Sequence, residues 1–314
     1  MRVTAACVML ALPLAAVADD DWALLEKAAQ AAANQPLTAT YLHQLGSELE
    51  TFRVQRMQDG GVVRERRESL DGMPREIVRV GNELTCYAPD AKSLTAAKLS
   101  AIKLFPAVLP EDTDNLSQGY TVVRGGSDRV AQRDCQWLAL KPKDGANRYT
   151  QRFCIEPQTA LPLKVVTSTA KGEVVEQFAF TELQLAAPKD KSALKPRYKQ
   201  SLVLGKVGGV QAGMQPMHDI KGLPAGFRMV RFVNRALPGH DKAVQHYVFS
   251  DGFAKVSLFV ETASGEGVSQ TSATAPNGIG VASRQSGEQL LTVVGDLPEA
   301  GLQAILKGVR LSPR

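Results

Sequence analysis

Short strand-like segments separated by turn signals are the feature that most constrains how this chain can fold. They run from residue 38 to residue 185, are rich in β-branched and aromatic residues, and several of them alternate apolar with polar residues. The turn signals between them are Gly46-Ser47, Asp59-Gly60-Gly61, Asp71-Gly72, Gly81-Asn82, Asp144-Gly145 and Lys171-Gly172. Strands at this spacing predict an antiparallel meander with one apolar face and one polar face.

Two segments are candidates to cover the apolar face, because a wide sheet must bury that face against another layer. The first is a predicted amphipathic helix that Asp21 caps and that runs to about Ala33. The second is the stretch 99–114, in which apolar residues crowd around Pro106 and Pro110. This stretch either completes the core or forms a movable lid over an apolar lipid groove. The groove residues in that case are Ile102, Leu104, Phe105, Val108 and Leu109.

A change in composition at residues 188–205 divides the chain into two predicted domains. These residues are rich in Lys, Pro and Ser and lack alternation, which is typical of a linker. The larger domain is 19–187 and the smaller α+β domain is 206–314. The predicted elements of the smaller domain are strands near 227–235, 243–249, 253–261, 279–285 and 289–295, a loop at 262–278, and an amphipathic helix from Pro298.

Residues 1–18 have the pattern of a cleaved signal peptide. Arg2 precedes a short apolar run, and Ala16-Val17-Ala18 offers small residues at the cleavage positions. We therefore expect export, and removal of Arg2 lowers the formal net charge from +5 to +4. This small excess suits an acidic protein or a phosphorylated glycolipid as partner, although an ordinary solvated surface has the same charge.

Three cysteines remain after that cleavage, and two of them flank a hairpin signal. Asp144-Gly145 is a two-residue turn, and counting outward from it places Cys135 opposite Cys154. Export to an oxidising compartment favours a disulfide between them. The pair falls at a hydrogen-bonded position, where bridging is harder, unless Pro142 marks a bulge that changes the count. We expect Cys86 to be a buried free thiol.

The sequence shows no residue pattern that carries catalysis or holds a metal or cofactor. None of the four histidines has a partner at i, i+4 or a Glu or Cys at metal-ligand spacing, and no GxSxG motif occurs. Glu65 and Glu68 flank basic residues in a predicted strand, which is typical of a solvated face. Aromatic residues do not interleave with a basic stripe, so we expect no nucleic-acid partner. We therefore expect a binding protein that is not an enzyme.

Five segments resemble the RseB/MucB family of periplasmic sigma-E regulatory proteins, in the order that the family has. They are RERRESLDGMPREIVRVGNELTCYAPD, NRYTQRFCIEPQTALPLKV, LPAGFRMV, HYVFSDGFAKVSLFVE and LLTVVGDLPEAGLQAILKGV. Together they span both predicted domains, and their shared order is more specific than any single motif.

The resemblance implies a mainly β, α+β fold. It consists of a large unclosed antiparallel β-barrel domain similar to LolA and LolB and a smaller α+β C-terminal domain. It also implies a periplasmic protein that binds the periplasmic domain of a membrane anti-sigma factor and hinders the first protease that would cut it. Lipopolysaccharide or lipoprotein acyl chains would release this grip and free the stress sigma factor. No cofactor is implied.

A periplasmic lipoprotein carrier of LolA type is the alternative function, and the extra domain after Gly205 favours the regulator. The candidate contacts for the protein partner are Arg231, Tyr247 and Phe249. Acyl chains in the groove would displace the 99–110 segment and reorient the two domains about the linker. The sequence leaves self-association into a homo-oligomer open.

Overall fold

The computed structural model describes residues 15–90, 92, 94, 103–110, 113–206, 216–235, 243–263, 271–274 and 279–313. Within these residues, an eleven-stranded antiparallel sheet and a six-stranded antiparallel sheet dominate the structure. The mainly β, α+β prediction is therefore confirmed. None of the helices in this described part combines the length and the hydropathy that a membrane crossing requires.

Helix α1 spans Ala15–Asn34 and packs on the large sheet. Its apolar residues Leu25 and Ala29 are almost fully buried, as an amphipathic helix on the sheet requires. The prediction that Asp21 caps this helix is wrong, because the helix begins six residues earlier. Asp21 is instead a buried carboxylate that accepts a hydrogen bond from Arg124 Nε on the sheet.

The large sheet has the strand order β11-β5-β4-β3-β2-β1-β10-β9-β8-β7-β6. Its strands are β1 Leu37–Leu45, β2 Glu48–Asp59, β3 Val62–Ser69, β4 Glu76–Val80, β5 Glu83–Ala88, β6 Tyr120–Val130, β7 Arg133–Pro142, β8 Thr150–Ile155, β9 Pro162–Ser168, β10 Val174–Gln184 and β11 Gln200–Lys206. The end strands β11 and β6 are not neighbours in the described sheet, so the barrel is unclosed. Short turns connect most sequential strands, as the meander prediction requires.

Alternation places the apolar side chains of this sheet on its concave face. In β1, for example, Leu37, Ala39 and Tyr41 are buried, whereas the intervening residues are only partly buried. The concave face forms one continuous core with α1 and with residues 103–110, which we call the cover. Helix α2, Asp114–Gly119, follows the cover and leads into β6.

The β7–β8 hairpin carries a disulfide between Cys135 and Cys154, whose Cα atoms lie 5.2 Å apart. The predicted two-residue turn is wrong, because residues Gly145–Asn147 form a 3-10 helix that lengthens the connection. The register consequently places Trp137, not Cys135, opposite Cys154. The two cysteines are therefore diagonal neighbours. Cys86 is a buried free thiol.

The six-stranded sheet has the order β13-β14-β15-β18-β17-β16 and packs against one helix. Its strands are β13 Arg228–Arg235, β14 Val244–Ser250, β15 Lys255–Thr262, β16 Thr271–Thr274, β17 Gly280–Ser286 and β18 Gln289–Gly295. Helix α3, Glu299–Gly308, buries Leu302, Ile305 and Leu306 against it. Strands β12 His218–Lys221 and β19 Arg310–Pro313 form a separate two-stranded sheet.

Two segments that we predicted to be irregular contain regular structure. Strand β16 lies within the predicted loop 262–278. The predicted linker 188–205 contains a 3-10 helix, Lys191–Leu194, and most of strand β11, which pairs with β5 at the edge of the large sheet. Much of that segment therefore packs on the first domain, and the domain boundaries remain a prediction.

Candidate functional site

The candidate site is the concave hollow of the large sheet, which the cover fills. Phe105 is completely buried there, and its ring centroid lies 5.1 Å from that of Tyr41, 5.5 Å from that of Phe178 and 4.6 Å from that of Phe180. An apolar pocket of this kind suits an acyl chain. In the present structure the Phe105 side chain fills this aromatic hollow.

Two of the other predicted groove residues, Val108 and Leu109, lie in or beside the same core. Leu109 is buried, Val108 is partly buried against the core, and Leu104 is half-buried. Ile102 lies outside the described residues. The cover thus brings three of the five predicted residues, Phe105, Val108 and Leu109, to this core, where they fill the hollow and do not line it. The walls are aromatic residues of β1, β2 and β10 that the sequence-based prediction did not single out.

Two polar contacts tie the cover to the sheet. Lys103 Nζ forms an ion pair with Glu176 Oε2, and Arg67 Nη1 donates a hydrogen bond to the carbonyl oxygen of Phe105. Glu176 also lies 2.9 Å from His43 Nε2 through its other oxygen. Burial raises the pKa of Glu176, but His43 and Lys103 outweigh it and hold that pKa below its ordinary value.

Charged side chains are buried inside the hollow beside the cover. Glu65 Oε2 accepts from Arg56 Nε and Glu65 Oε1 accepts from Arg67 Nε, each at 2.5 Å, and all three residues are at most 2 % exposed. Burial raises the pKa of Glu65, but the two guanidinium groups outweigh it and lower the pKa to about 2. Glu65 is therefore ionised at neutral pH. The expectation that it lies on a solvated face is wrong.

The opposite face of β3 is also covered, so the expectation that Glu68 lies on a solvated face is wrong as well. Arg66 Nη2 contacts Glu68 Oε2 at 2.7 Å and Glu76 Oε1 at 2.6 Å. Arg197, from the predicted linker, adds ion pairs to both carboxylates, and Arg66 Nη1 donates to Ala193 O at 3.3 Å. The linker segment therefore shields this face from solvent.

The two domains meet at a buried ion pair. Arg148 Nη1 lies 3.1 Å from Asp251 Oδ2, and the Tyr120 hydroxyl donates to the same oxygen at 3.0 Å. Asp251 Oδ1 accepts from the backbone N–H groups of Phe253 and Ala254, which fixes the β14–β15 turn. Burial and the adjacent Asp251 carboxylate raise the pKa of Tyr120 far above its ordinary value. Tyr120 therefore remains a hydrogen-bond donor at physiological pH.

The β14–β15 turn also contacts the far end of the cover. A Cβ atom at Gly252 would lie 3.0 Å from Leu116 Cδ2 and 3.1 Å from Pro110 Cγ, so only glycine permits this approach without a shift. The Phe253 ring packs edge-on against that of Tyr120, with 5.7 Å between centroids, and joins the core of the first domain. The end of the cover and the second domain are therefore in direct contact.

The predicted partner-binding residues differ in their exposure. Arg231 lies exposed on β13. Tyr247 and Phe249 are 0 % and 2 % exposed, because alternation along β14 places them in the core of the six-stranded sheet. Phe249 also lines a cavity of about 330 Å³ together with Phe227 and Met229. Direct contact of a partner with Tyr247 would require the core to open.

Comparison with known proteins gives matches along nearly the whole chain. Residues 20–198 match the family model described as MucB/RseB N-terminal domain, and residues 214–310 match MucB/RseB C-terminal domain. The "Sigma factor AlgU regulatory protein MucB" of Pseudomonas aeruginosa is 28% identical over 310 residues, which covers 96% of this chain and 94% of that protein. The "Sigma-E factor regulatory protein RseB" of Escherichia coli is 26% identical over 245 residues, covering 77% and 75%.

Solved structures agree with these sequence matches. The complex of Pseudomonas aeruginosa MucA and MucB contains a chain similar to this one, with a TM-score of 0.74 and 27% identity over 94% of this chain and 100% of that chain. A crystal structure of MucB has a TM-score of 0.61 at 25% identity and covers 96% and 100%. The similarity includes both domains.

Proposed function

Because the chain belongs to the MucB/RseB family, we propose that it is a periplasmic negative regulator of an envelope-stress sigma factor. It binds the periplasmic domain of a membrane anti-sigma factor and hinders the proteolysis of that domain. The observation that carries this proposal is the match of both family domains, in order, to residues 20–198 and 214–310. The similarity to a MucB chain solved with MucA supports an anti-sigma factor as the partner.

The chain acts by binding and not by catalysis in this proposal. Its relatives are named as regulatory proteins. In the hollow, the one carboxylate Glu65 is paired with Arg56 and Arg67, which is typical of a structural or recognition role.

Acyl chains of lipopolysaccharide or lipoprotein release the partner in this proposal. Support comes from Phe105, an apolar side chain that fills an aromatic hollow and belongs to a segment held by two polar contacts, from Lys103 and Arg67. An acyl chain that displaces Phe105 moves the cover. The cover in turn contacts the β14–β15 turn of the second domain.

A lipoprotein carrier of LolA type is the second candidate, because an aromatic hollow would serve a carrier equally well. A carrier has no use for the buried Arg148–Asp251 contact between two domains, whereas a regulator that must transmit a signal does. Transfer of a lipoprotein from this chain to an outer-membrane acceptor, without any binding of an anti-sigma fragment, would favour the carrier.

A protease-protection assay tests the proposed function. The periplasmic fragment of the anti-sigma factor is incubated with the protease that makes the first cut, with and without the full chain. We expect the chain to slow cleavage and a lipoprotein acyl ligand to restore it. Arg231→Glu should weaken protection by reversing an exposed charge, whereas Lys171→Glu, an exposed charge in the β9–β10 turn, should not. Equal cleavage with and without the wild-type chain would refute the proposal.

A cysteine pair tests whether the domains must move for release. Leu116→Cys and Gly252→Cys place thiols on the two sides of the contact between α2 and the β14–β15 turn. The oxidised double variant should still slow cleavage but should no longer respond to the acyl ligand. The reduced double variant and Gly252→Cys alone control for strain at Gly252. Full release from the oxidised variant would eliminate the domain movement.

A further inference from the structure

The interior faces of β2, β3 and β4 carry an excess of buried positive charge. Arg56, Arg67 and Arg79 are 0 %, 2 % and 6 % exposed, and Glu65 is the carboxylate that lies among them. Three guanidinium groups and one carboxylate leave a formal charge of +2 in this cluster. Buried charge without a counterion is costly, so the cluster needs further acceptors.

Neutral carbonyl groups supply those acceptors in the present structure. Arg56 Nη1 donates to Ala32 O at 2.5 Å and Arg79 Nη1 donates to Ala33 O at 3.3 Å, both at the C-terminal end of α1. The helix dipole makes that end partly negative, which helps to stabilise these two arginines. Arg67 has no hydrogen bond to the end of α1 among the described residues and donates instead to the Phe105 carbonyl of the cover.

Arg67 is incompletely satisfied even with the cover in place. A guanidinium group has five N–H donors. Nε binds Glu65 and Nη1 binds the Tyr41 hydroxyl and Phe105 O, but Nη2 is buried and has no hydrogen-bond acceptor among the described residues. A charged acceptor would make shorter and stronger hydrogen bonds to this group than a carbonyl does.

The apolar and charged parts of the hollow adjoin each other at Phe105. Its ring contacts Tyr41, Phe178 and Phe180, while its carbonyl oxygen caps Arg67. Removal of this one residue therefore opens an aromatic pocket and, at its end, frees a buried guanidinium. That arrangement matches a ligand with an apolar tail and an anionic head.

We infer that Arg67 receives the phosphate or carboxylate headgroup of an anionic amphiphile, whose acyl chain takes the place of the Phe105 side chain. Arg56 supports the site by sharing the charge of Glu65. The inference rests on the acyl-release part of the proposed function and adds the chemistry of the headgroup. An uncharged acyl chain would fill the pocket but leave Arg67 without an acceptor.

Calorimetric titration of the full chain with decyl phosphate and with 1-decanol, both below their aggregation concentrations, tests the inference. We expect decyl phosphate to bind about 10- to 100-fold more tightly, as hydrogen bonds to a charged group imply. Arg67→Met should abolish this preference and leave decanol binding unchanged. Arg64→Met is the matched control, because Arg64 is on the same strand but 44% exposed and paired with Asp59; it should keep the preference.

Three outcomes would overturn the inference. The first is equal affinity of the wild-type chain for the two probes. The second is a preference that Arg67→Met retains. The third is displacement of decyl phosphate by inorganic phosphate at similar concentration, which would indicate a site for a free anion rather than for a headgroup. Should Arg67→Met fail to fold, Arg67→Lys replaces it and should lower the preference about tenfold through loss of the guanidinium fork.

The same protein samples are assayed for protection of the anti-sigma fragment from proteolysis. Protection without any headgroup preference would reject the Arg67 site and leave the proposed function intact. A headgroup preference without protection would support the site and reject the proposed function. The two failures are therefore distinguishable.

Discussion

At the scale of residues, the unusual feature is a charged cluster inside a β-sheet core. Glu65 accepts from both Arg56 and Arg67, so removal of Glu65 leaves two buried guanidinium groups without their shared carboxylate. Breaking a buried ion pair typically costs about 3 to 5 kcal/mol, because it leaves an uncompensated charge. The cluster therefore links β2 and β3 to the cover, and a single substitution within it should lower stability.

Acid should destabilise the chain through Glu65. The pKa is about 2 in the folded chain against an ordinary 4.5, so the folded state binds fewer protons in this interval. The stabilisation is complete above pH 4.5 and is lost as pH falls through 2; it amounts to about 3 kcal/mol. Urea unfolding at pH 6 and at pH 2.5 should therefore show a larger loss for the wild type than for Glu65→Gln. Equal losses would contradict the ionised state of Glu65.

At the scale of elements, two hairpins have constraints of different kinds. The β7–β8 hairpin is closed covalently by Cys135–Cys154, and the β14–β15 turn is held by the Asp251 carboxylate against Arg148. The first constraint lies within one domain. The second joins the domains, because the turn inserts Phe253 beside Tyr120 of the first domain.

Loss of the disulfide should lower the free energy of unfolding. Its sequence separation is 19 residues, and closure of a loop of that length is worth about 3 kcal/mol. Denaturant unfolding of Cys135→Ser with Cys154→Ser, compared with the wild type, measures this loss. Cys86→Ala is the control, because Cys86 is also buried but forms no bridge. Insensitivity of the wild-type chain to reductant would count against a stabilising bridge.

Removal of the Asp251 carboxylate should loosen the contact between domains. Asp251→Ala leaves Arg148 buried without this partner, which costs about 3 to 5 kcal/mol. Scanning calorimetry should then resolve separate transitions for the two domains, whereas Asp251→Asn, which can still cap the turn, should separate them less. A single unchanged transition in both variants would show that the domains are not coupled through this ion pair.

At the scale of the whole molecule, the sequence predicted those parts of the fold that depend on residues close together in the chain. Alternation and turn residues identified the sheet strands, and the composition change and the helix after Pro298 identified a second unit. The charged interior was missed, because the same alternation of Glu and Arg marks a solvated strand unless both faces are covered. Those covers, the 103–110 segment and the 190–197 segment, come from distant parts of the chain and carry no signal in β3 itself.

Nonlocal pairing also explains the remaining errors. The β7–β8 register depends on the 3-10 helix at Gly145–Asn147. That helix contacts Gly301 of α3, and the local sequence of the hairpin does not predict this contact. Strand β11 pairs with β5, which lies more than a hundred residues earlier in the chain. Its own composition is typical of a linker and does not indicate this pairing. Tyr247 and Phe249 are buried in a core that also contains residues far along the sequence, such as Leu302 and Ile305.

Binding of the anti-sigma partner is the central claim, and fluorescence anisotropy measures it most directly. A labelled periplasmic fragment of the anti-sigma factor from the same organism is titrated with the full chain. We predict saturable binding with a Kd in the micromolar range or below, which corresponds to about −8 kcal/mol or stronger. An anisotropy that stays at the value of the free fragment throughout the titration would contradict the account.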